Sequence, residues 1–282
     1  MSLTIFLAVL FAAFLHASWN AIVKFGEDKV QGMVLLSIAH GIIGLVMILV
    51  FPVPDVASWL LLAGSVFFHL IYKTFLTIAY TQGDLSRVYP IARGTAPMLV
   101  LVIGLMILPD QVTGWQIAGI VLVGLGIVLL ARGVFAFGEE RALIPYALLA
   151  ACGTAGYSIF DGMGARAAGE TAAHASGYVG WLFFIDAFLF SIGAVIFRGK
   201  KAVPKKVRVW GLGMVAGAAS VGAYWIAVYA MTVAPIALVT ALREVSVLFA
   251  VLIGVLFFKD RADWGKLVAA AVIVAGVVAI RL

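Results

Sequence analysis

The chain has 282 residues, of which 65% are hydrophobic and only 11% charged, with 30 glycines, one cysteine and a mean hydropathy of +1.17. A soluble domain carries about a quarter of its residues charged to cover its surface, so a chain with 19 basic and 13 acidic residues must face something apolar, which is a bilayer. The net charge of +6 does not point to nucleic acid, because the basic residues sit mostly in loops and no basic face interleaved with aromatics accompanies them.

A spanning helix needs about 20 apolar residues. Apolar runs and the polar breaks between them place spans at about 3–23, 32–51, 57–81, 87–108, 114–132, 142–162, 175–197, 208–231, 235–257 and 264–281. Ten spans take roughly 200 positions and leave no room for an appended soluble domain. The first run, Leu3 to Val23, has no basic residue before it and Lys24 after it, so it is expected to remain as a span and not to be cleaved as a signal peptide. Barrel strands would alternate polar and apolar residues, whereas Leu99 to Leu108 and Val268 to Ile280 are continuously apolar. The expected fold class is an all-α integral membrane protein of ten transmembrane helices. Cys152 stands alone among small apolar residues and offers neither a disulfide nor a Cys-x-x-Cys metal site.

The halves repeat. An offset of 149 residues brings Tyr80 onto Tyr229, Ala92 onto Ala241, Val102 onto Val251, Trp115 onto Trp264 and Arg132 onto Arg281 without a gap. Each aligned block ends in an apolar helix introduced by a Trp after a short polar turn, and the earlier helices match more loosely. Five is odd, so tandem five-helix units at 1–138 and 139–282 enter the membrane from opposite sides. Such inverted repeats are typical of transporters, with the substrate site near the midplane around a central cavity. Lys24 and Lys29, Arg132 and Arg141, the six basic residues from Arg198 to Arg208, and Lys259, Arg261 and Lys266 all fall in odd-numbered loops. The charge bias therefore puts those loops in the cytoplasm and both termini outside.

An ionisable group in mid-membrane costs several kcal/mol unless it meets a cavity or a partner. Lys73, Arg93 and Arg243 fall well inside spans, as do Asp186 and Glu244, with Asp161 near a span end. On span 3, His69, Tyr72, Lys73 and Tyr80 share one polar stripe; on span 8, Tyr224, Trp225 and Tyr229 do the same, and Tyr157 of span 6 is taken with them. These read as aromatic walls of a cavity, with Lys73 or His69 giving a polar contact to substrate, or alternatively as helix packing with Lys73 reaching to the interface. Adjacent Arg243 and Glu244 point about 100° apart on a helix. Arg243 suits a substrate carboxylate and Glu244 an ammonium group or a coupling proton; the competing reading is that each closes an interhelical ion pair, with Asp186 or Lys73 as candidates.

Span 4 opens with Arg87, Tyr89, Pro90, Arg93 and Pro97, and Pro235 opens span 9. Proline removes a helix hydrogen bond, so Pro90, Pro97 and Pro235 are candidate hinges, although Pro90 is also tolerated in a first turn. Span 1 carries His16, Trp19 and Asn20, with His16 and Asn20 on one face. The four histidines are scattered over different segments, so no metal and no cofactor is expected. Gly213 to Gly217 and the pair Gly41, Gly44 read as close helix packing. The small-residue faces of spans 5 and 10 suit packing within one chain as well as between two, and a monomer suffices. No phosphate-binding Gly-rich loop, nucleophile elbow or H-E-x-x-H occurs, which leaves ATP-driven transport by this chain alone and the common hydrolase mechanisms unsupported. The chain reads as a carrier, not an enzyme.

The segment His16-Ala-Ser-Trp-Asn20 followed by Lys24, the two five-helix copies, and the repeat endings Pro97 to Arg132 and Ser246 to Arg281 resemble the EamA-type family of the drug/metabolite transporter superfamily, and within it amino-acid exporters of the YddG type. The resemblance implies a basket-shaped ten-helix carrier in the inner membrane that exports amino acids, aromatic and other neutral ones among them, and related metabolites by alternating access. Its partners would be a small-molecule substrate and the lipid bilayer. Ten-helix members commonly keep both termini in the cytoplasm, opposite to the charge bias here. The family's acidic residue before the last helix of each repeat is matched by Asp110 and Asp260, read as capping or orienting groups. The alternative cargo is an anionic metabolite such as a nucleotide sugar or phosphorylated compound, which would need Lys73, Arg93 and Arg243 to converge.

Overall fold

The computed structural model describes residues 1–24, 29–82, 85–130, 143–202, 207–258 and 263–282, and these are helices joined by short turns. In chain order they are α1 (Leu3–Lys24), α2 (Lys29–Val50), α3 (Val56–Gln82), α4 (Leu85–Ile107), α5 (Gly114–Leu129), α6 (Ile144–Ala167), α7 (Ala172–Arg198), α8 (Val207–Val233), α9 (Ile236–Glu244), α10 (Ser246–Phe258) and α11 (Trp264–Arg281), with a 3-10 turn at Gly199–Ala202 after α7. Among the described residues eight stretches are long and apolar enough to cross a membrane, and α5 is apolar but shorter. The chain is an integral membrane protein. Its outer surface agrees, since Leu49, Leu60, Met106, Phe197 and Leu256 are all more than 70% exposed, which only a lipid environment makes inexpensive.

The expected spans lie within a few residues of these helices, with one change: span 9 is broken. α9 ends at Glu244 and α10 starts at Ser246. At the junction Val245 N–H bonds Leu242 O at 3.2 Å, the tighter i to i−3 step of a 3-10 turn. Span 4, by contrast, runs unbroken through Pro90 and Pro97.

α3 packs chiefly on α6, α2 on α7, α5 on α11 and α1 on α8, with α4 against α6 and α5. One apolar core joins α1, α4, α5, α6, α8, α9, α10 and α11 through residues such as Val9, Val100, Ile120, Met231, Leu238 and Ile273. A second joins α2, α3, α6, α7 and α8 through Met47, Leu62, Val179, Leu182 and Val228. Glycines set the closest crossings. A Cβ at Gly276 would lie 2.8 Å from Gly119 O, and one at Gly44 would lie 2.8 Å from Gly180 O, so α5 and α11, and α2 and α7, meet backbone to backbone. The small-residue faces of spans 5 and 10 thus pack on each other within one chain. Gly213 and Gly217 likewise receive Leu35 and Ala39 of α2.

Candidate functional site

Asp161 on α6 is fully buried, and a buried carboxylate persists only where its lone pairs are satisfied. Three hydroxyls from three helices satisfy it: Ser65 of α3 donates to Oδ1, Tyr178 of α7 donates to Oδ1 at 3.1 Å, and Tyr224 of α8 donates to Oδ2. α6 can gather these neighbours because its other faces are small. A Cβ at Gly164 would lie 2.5 Å from the Tyr178 hydroxyl, and one at Gly153 would meet Tyr72 at 2.7 Å. His69, one helical turn after Ser65, places Nδ1 3.0 Å from Ser65 O and 3.2 Å from Ser65 Oγ. Its ring stacks on Tyr157 at 4.1 Å and meets Tyr224 edge-on at 5.7 Å. A carbonyl can only accept, so Nδ1 carries the proton.

One more turn along α3, Lys73 Nζ lies 2.5 Å from Asp186 Oδ2 of α7, both residues being buried, and the ammonium also sits 4.8 Å over the Phe190 ring. His40 of α2 packs on Phe183 at 4.6 Å.

A second ion pair lies between α4 and the broken span. Arg93 Nε is 2.8 Å from Glu244 Oε2, with side chains 2% and 1% exposed. The same guanidinium reaches His16 Nε2 at 2.6 Å and Ser246 Oγ at 3.3 Å. Since a guanidinium only donates, Nε2 of His16 accepts. The pair sits where both helices are irregular. Pro97 supplies no N–H to the carbonyl of Arg93, four residues earlier, and α9 stops at Glu244. Arg243, next in the chain to Glu244, turns the other way and covers the Tyr224 ring at 4.8 Å, a cation–π contact. It therefore lies between the Arg93–Glu244 pair and the aromatic cluster around Asp161.

Among the described residues the buried charged side chains are Lys73, Arg93 and Arg243 against Asp161, Asp186 and Glu244. Three positive and three negative groups leave the centre balanced.

The structure brings together His16, His69, Tyr72, Lys73, Arg93, Tyr157, Tyr224, Arg243 and Glu244 of the expected set, and it adds Ser65, Tyr178, Asp161, Asp186 and Ser246. Four expectations change. Asp161 is the hub of the site and not a group at a span end. Glu244 pairs with Arg93, and Asp186 pairs with Lys73, so neither Asp186 nor Lys73 is the partner of Arg243 or Glu244. The polar stripe on span 8 divides, because successive helix residues diverge by about 100°. Tyr224 faces inward, whereas Trp225 and Tyr229 are 38% and 37% exposed and line an open groove of about 300 Å³ with Ala172, Ser176 and Ile226. Trp225 Nε1 bonds Ser176 Oγ there at 2.9 Å. Finally, where a central cavity was expected, the rings of His69, Tyr157 and Tyr224 pack on one another.

Of the rest, Asn20 bonds back to His16 O at 2.8 Å and Trp19 meets the His16 ring at 5.0 Å. Pro90 and Pro97 are buried within α4 and Pro235 caps α9. The side chains of Tyr80, Arg87 and Tyr89, and the loop residues Arg132, Arg141, Lys259, Asp260 and Arg261, lie outside the described residues. Asp110 does not cap its own following helix: Thr113 does, through a capping box with Gln116. Asp110 instead holds Arg166 of α6 at 2.8 and 3.2 Å and accepts from Ile236 N at 2.8 Å, at the start of α9.

Comparison with known proteins adds a family and a fold. The model of the EamA-like transporter family matches residues 142–282, half of the chain. No curated protein matches the chain. One solved structure, described only as the crystal structure of a protein, superposes with a TM-score of 0.79 at 17% sequence identity, covering 99% of this chain and 96% of that one. At that identity the likeness concerns the fold.

Proposed function

Because the chain belongs to the EamA-like transporter family, we propose that it is a secondary carrier that exports amino acids, aromatic and other neutral ones with related metabolites, across the inner membrane by alternating access. The observation that carries this reading is the balanced charge of the buried centre, with three cations and three acids among the described residues. A zwitterion brings no net charge into such a site, and its apolar side chain can exchange contacts with His69, Tyr157 and Tyr224. Arg243 is suited to the substrate carboxylate, since a cation–π contact is more easily traded than an ion pair. Anionic cargo would need a surplus of convergent cations, yet Lys73 and Arg93 already hold acids at 2.5 and 2.8 Å.

Two inverted five-helix repeats, 1–138 and 139–282, supply the moving parts. Helix pairing supports this. If the first five spans are exchanged with the last five, the α3–α6 contact maps onto α8–α1, and the α2–α7 and α5–α11 contacts map onto themselves; all four are major packings. Pro97, inside the continuous α4, and Ser246, at the break between α9 and α10, stand 149 positions apart, and proline-containing or broken segments in corresponding positions of two halves are where carriers build their sites. The exposed Trp115 and Trp264 also match by that offset and suit opposite membrane interfaces. With the basic loops in the cytoplasm both termini face outward, and one copy is sufficient.

The test is efflux of radiolabelled phenylalanine, tryptophan, leucine and glutamate from preloaded proteoliposomes, beside empty-vesicle controls. Loss of the neutral amino acids above control, with glutamate retained, is the expected result. No efflux of any of them from correctly inserted protein, with efflux of a nucleotide sugar instead, would overturn the reading.

A further inference from the structure

Among the described residues three acids are buried in the spans, and they are not equivalent. Asp186 and Glu244 are each held by a permanent cation, Lys73 and Arg93. Protonating either would strand a buried positive charge, which costs several kcal/mol. Asp161 is held only by hydroxyls, and among the described residues no lysine or arginine forms an ion pair with it. A hydroxyl donates to a carboxylate and accepts from a carboxylic acid with equal ease. Asp161 can therefore gain or lose a proton while every member of its network stays bonded.

A path also leads to it. His69 Nδ1 carries a hydrogen, fixed by Ser65 O at 3.0 Å, and lies 3.2 Å from Ser65 Oγ, which in turn donates to Asp161 Oδ1. The donors run in one direction, from imidazole to serine to carboxylate. We infer that Asp161 is the proton-binding group of this carrier, loaded from His69 through Ser65, and that Tyr224 reports its occupancy to Arg243. In the transfer the Nδ1 proton passes to Ser65 Oγ as the serine proton passes to Oδ1. The imidazole takes a replacement proton at Nε2, and no other bond breaks. With Asp161 ionised, Tyr224 donates to an anionic Oδ2; with the proton on Oδ1, Oδ2 is a neutral carbonyl oxygen that still only accepts, and the Tyr224 hydrogen bond to it loses its charge assistance. Arg243 covers the other part of the same side chain, 4.8 Å from the ring centre.

The charged and titratable groups around Asp161 are consistent with this. From α3 they are His69, and Lys73 held by Asp186; from α7, Tyr178 and that same Asp186. From α8 there is Tyr224, from α9 Arg243 across the tyrosine ring and Glu244, and from α4 Arg93, held by Glu244. On α6 itself Tyr157 stacks on His69, and Arg166 is held by Asp110.

The coupling role rests on the carrier reading, whereas proton binding does not, and the experiment separates them. The carboxyl C=O stretch of the purified full chain is followed by infrared difference spectroscopy across a pH titration. A titrating band that disappears in Asp161→Asn and persists in Asp186→Asn and Glu244→Gln is expected. Tyr224→Phe, which keeps the ring, should displace the frequency and the midpoint of that band, and this variant answers the question if Asp161→Asn does not fold. A band unchanged by Asp161→Asn or Tyr224→Phe, or one lost in Asp186→Asn or Glu244→Gln, overturns the proposal. In proteoliposomes, the ratio of pH-gradient-driven accumulation of labelled phenylalanine to its gradient-free exchange should fall at least tenfold in Asp161→Asn, whatever happens to the exchange rate itself. A ratio at wild-type level in that variant refutes the coupling role. A titrating Asp161 band in a protein that moves no amino acid would leave the proton site standing and refute the substrate reading alone.

Discussion

The Arg93–Glu244 pair offers the sharpest test of how the site is held. Both side chains are almost completely buried, 2% and 1% exposed, at 2.8 Å, so solvent screens their attraction little. Glu244→Ala takes the carboxylate away from a buried guanidinium that also reaches His16 and Ser246, and breaking a buried pair by removing one partner costs about 3–5 kcal/mol. At about 2 °C per kcal/mol for a chain of this size, the midpoint of thermal unfolding in detergent should fall by about 6–10 °C. Glu244→Gln, which keeps an acceptor oxygen and the side-chain volume, should lose less. The double variant Arg93→Met with Glu244→Leu removes both charges and fills the space, so it should recover most of the loss, because the desolvation of two ions disappears with them. Amino-acid efflux should fail in all three. If the double variant were as unstable as the sum of its single variants, the pair would not be coupled and the site would need another account.

Gly276→Ala should destabilise by about 1–3 kcal/mol, because the new Cβ would meet backbone atoms of Gly119 and Val123 at 2.8 Å; thermal unfolding measures this, and Gly119→Ala should cost a similar amount. Asp110→Ala should cost less than Glu244→Ala, about 1–2 kcal/mol, since its ion pair with Arg166 is partly exposed and its remaining role is the cap on α9. Trp225→Ala and Tyr229→Ala should leave phenylalanine efflux within about twofold of the wild type while Tyr224→Ala abolishes it, because the first two face the outer groove; equal losses in all three would return the span 8 stripe to the site. Pro97→Ala restores an N–H near the Arg93 carbonyl and should raise thermal stability while slowing efflux, a trade visible in paired melting and transport assays.

How much of this was legible in the sequence depends on which forces set each feature. Hydrophobic runs long enough to cross a bilayer are a local property, and the span positions followed from them because lipid forces backbone polar groups into helices. The family resemblance was legible for the same reason, since the repeat endings are local strings. The broken span 9 was not, because Arg243, Glu244 and Ser246 are as compatible with a continuous helix as with a break; the break falls where Arg93 of α4 meets Glu244 and Ser246. Asp161 reads in the sequence as an acid near a span end, outside the candidate site, because its role depends on partners more than a dozen residues away on three other helices. A spacing signal for one of them existed: Ser65, His69 and Lys73 recur every four residues along one face of α3.

The segments that match at an offset of 149 residues diverge at the buried charged cluster. The offset that aligns Trp115 with Trp264 places Gly94 opposite Arg243 and Thr95 opposite Glu244. Gly94 packs on α5, with a Cβ there 2.6 Å from Gly124 O, whereas Arg243 faces Tyr224. One copy spends the position on helix packing and the other on the site.

The amino-acid sequence by itself determined the membrane-embedded class, the approximate positions of the spans, the block of identities at an offset of 149 residues and the short set of polar residues that a bilayer would not tolerate without a purpose. Only the tertiary structure decided which of those residues meet, that Lys73 belongs to Asp186 and Arg93 to Glu244, and that Asp161, alone among the buried acids of the described residues, is held by hydroxyls. The reason is physical. Insertion into lipid depends on the composition of each segment read one at a time, whereas pairing inside the bundle depends on rotation and depth of helices relative to one another, quantities set by the glycine crossings of α5 with α11 and α2 with α7 and by no single segment.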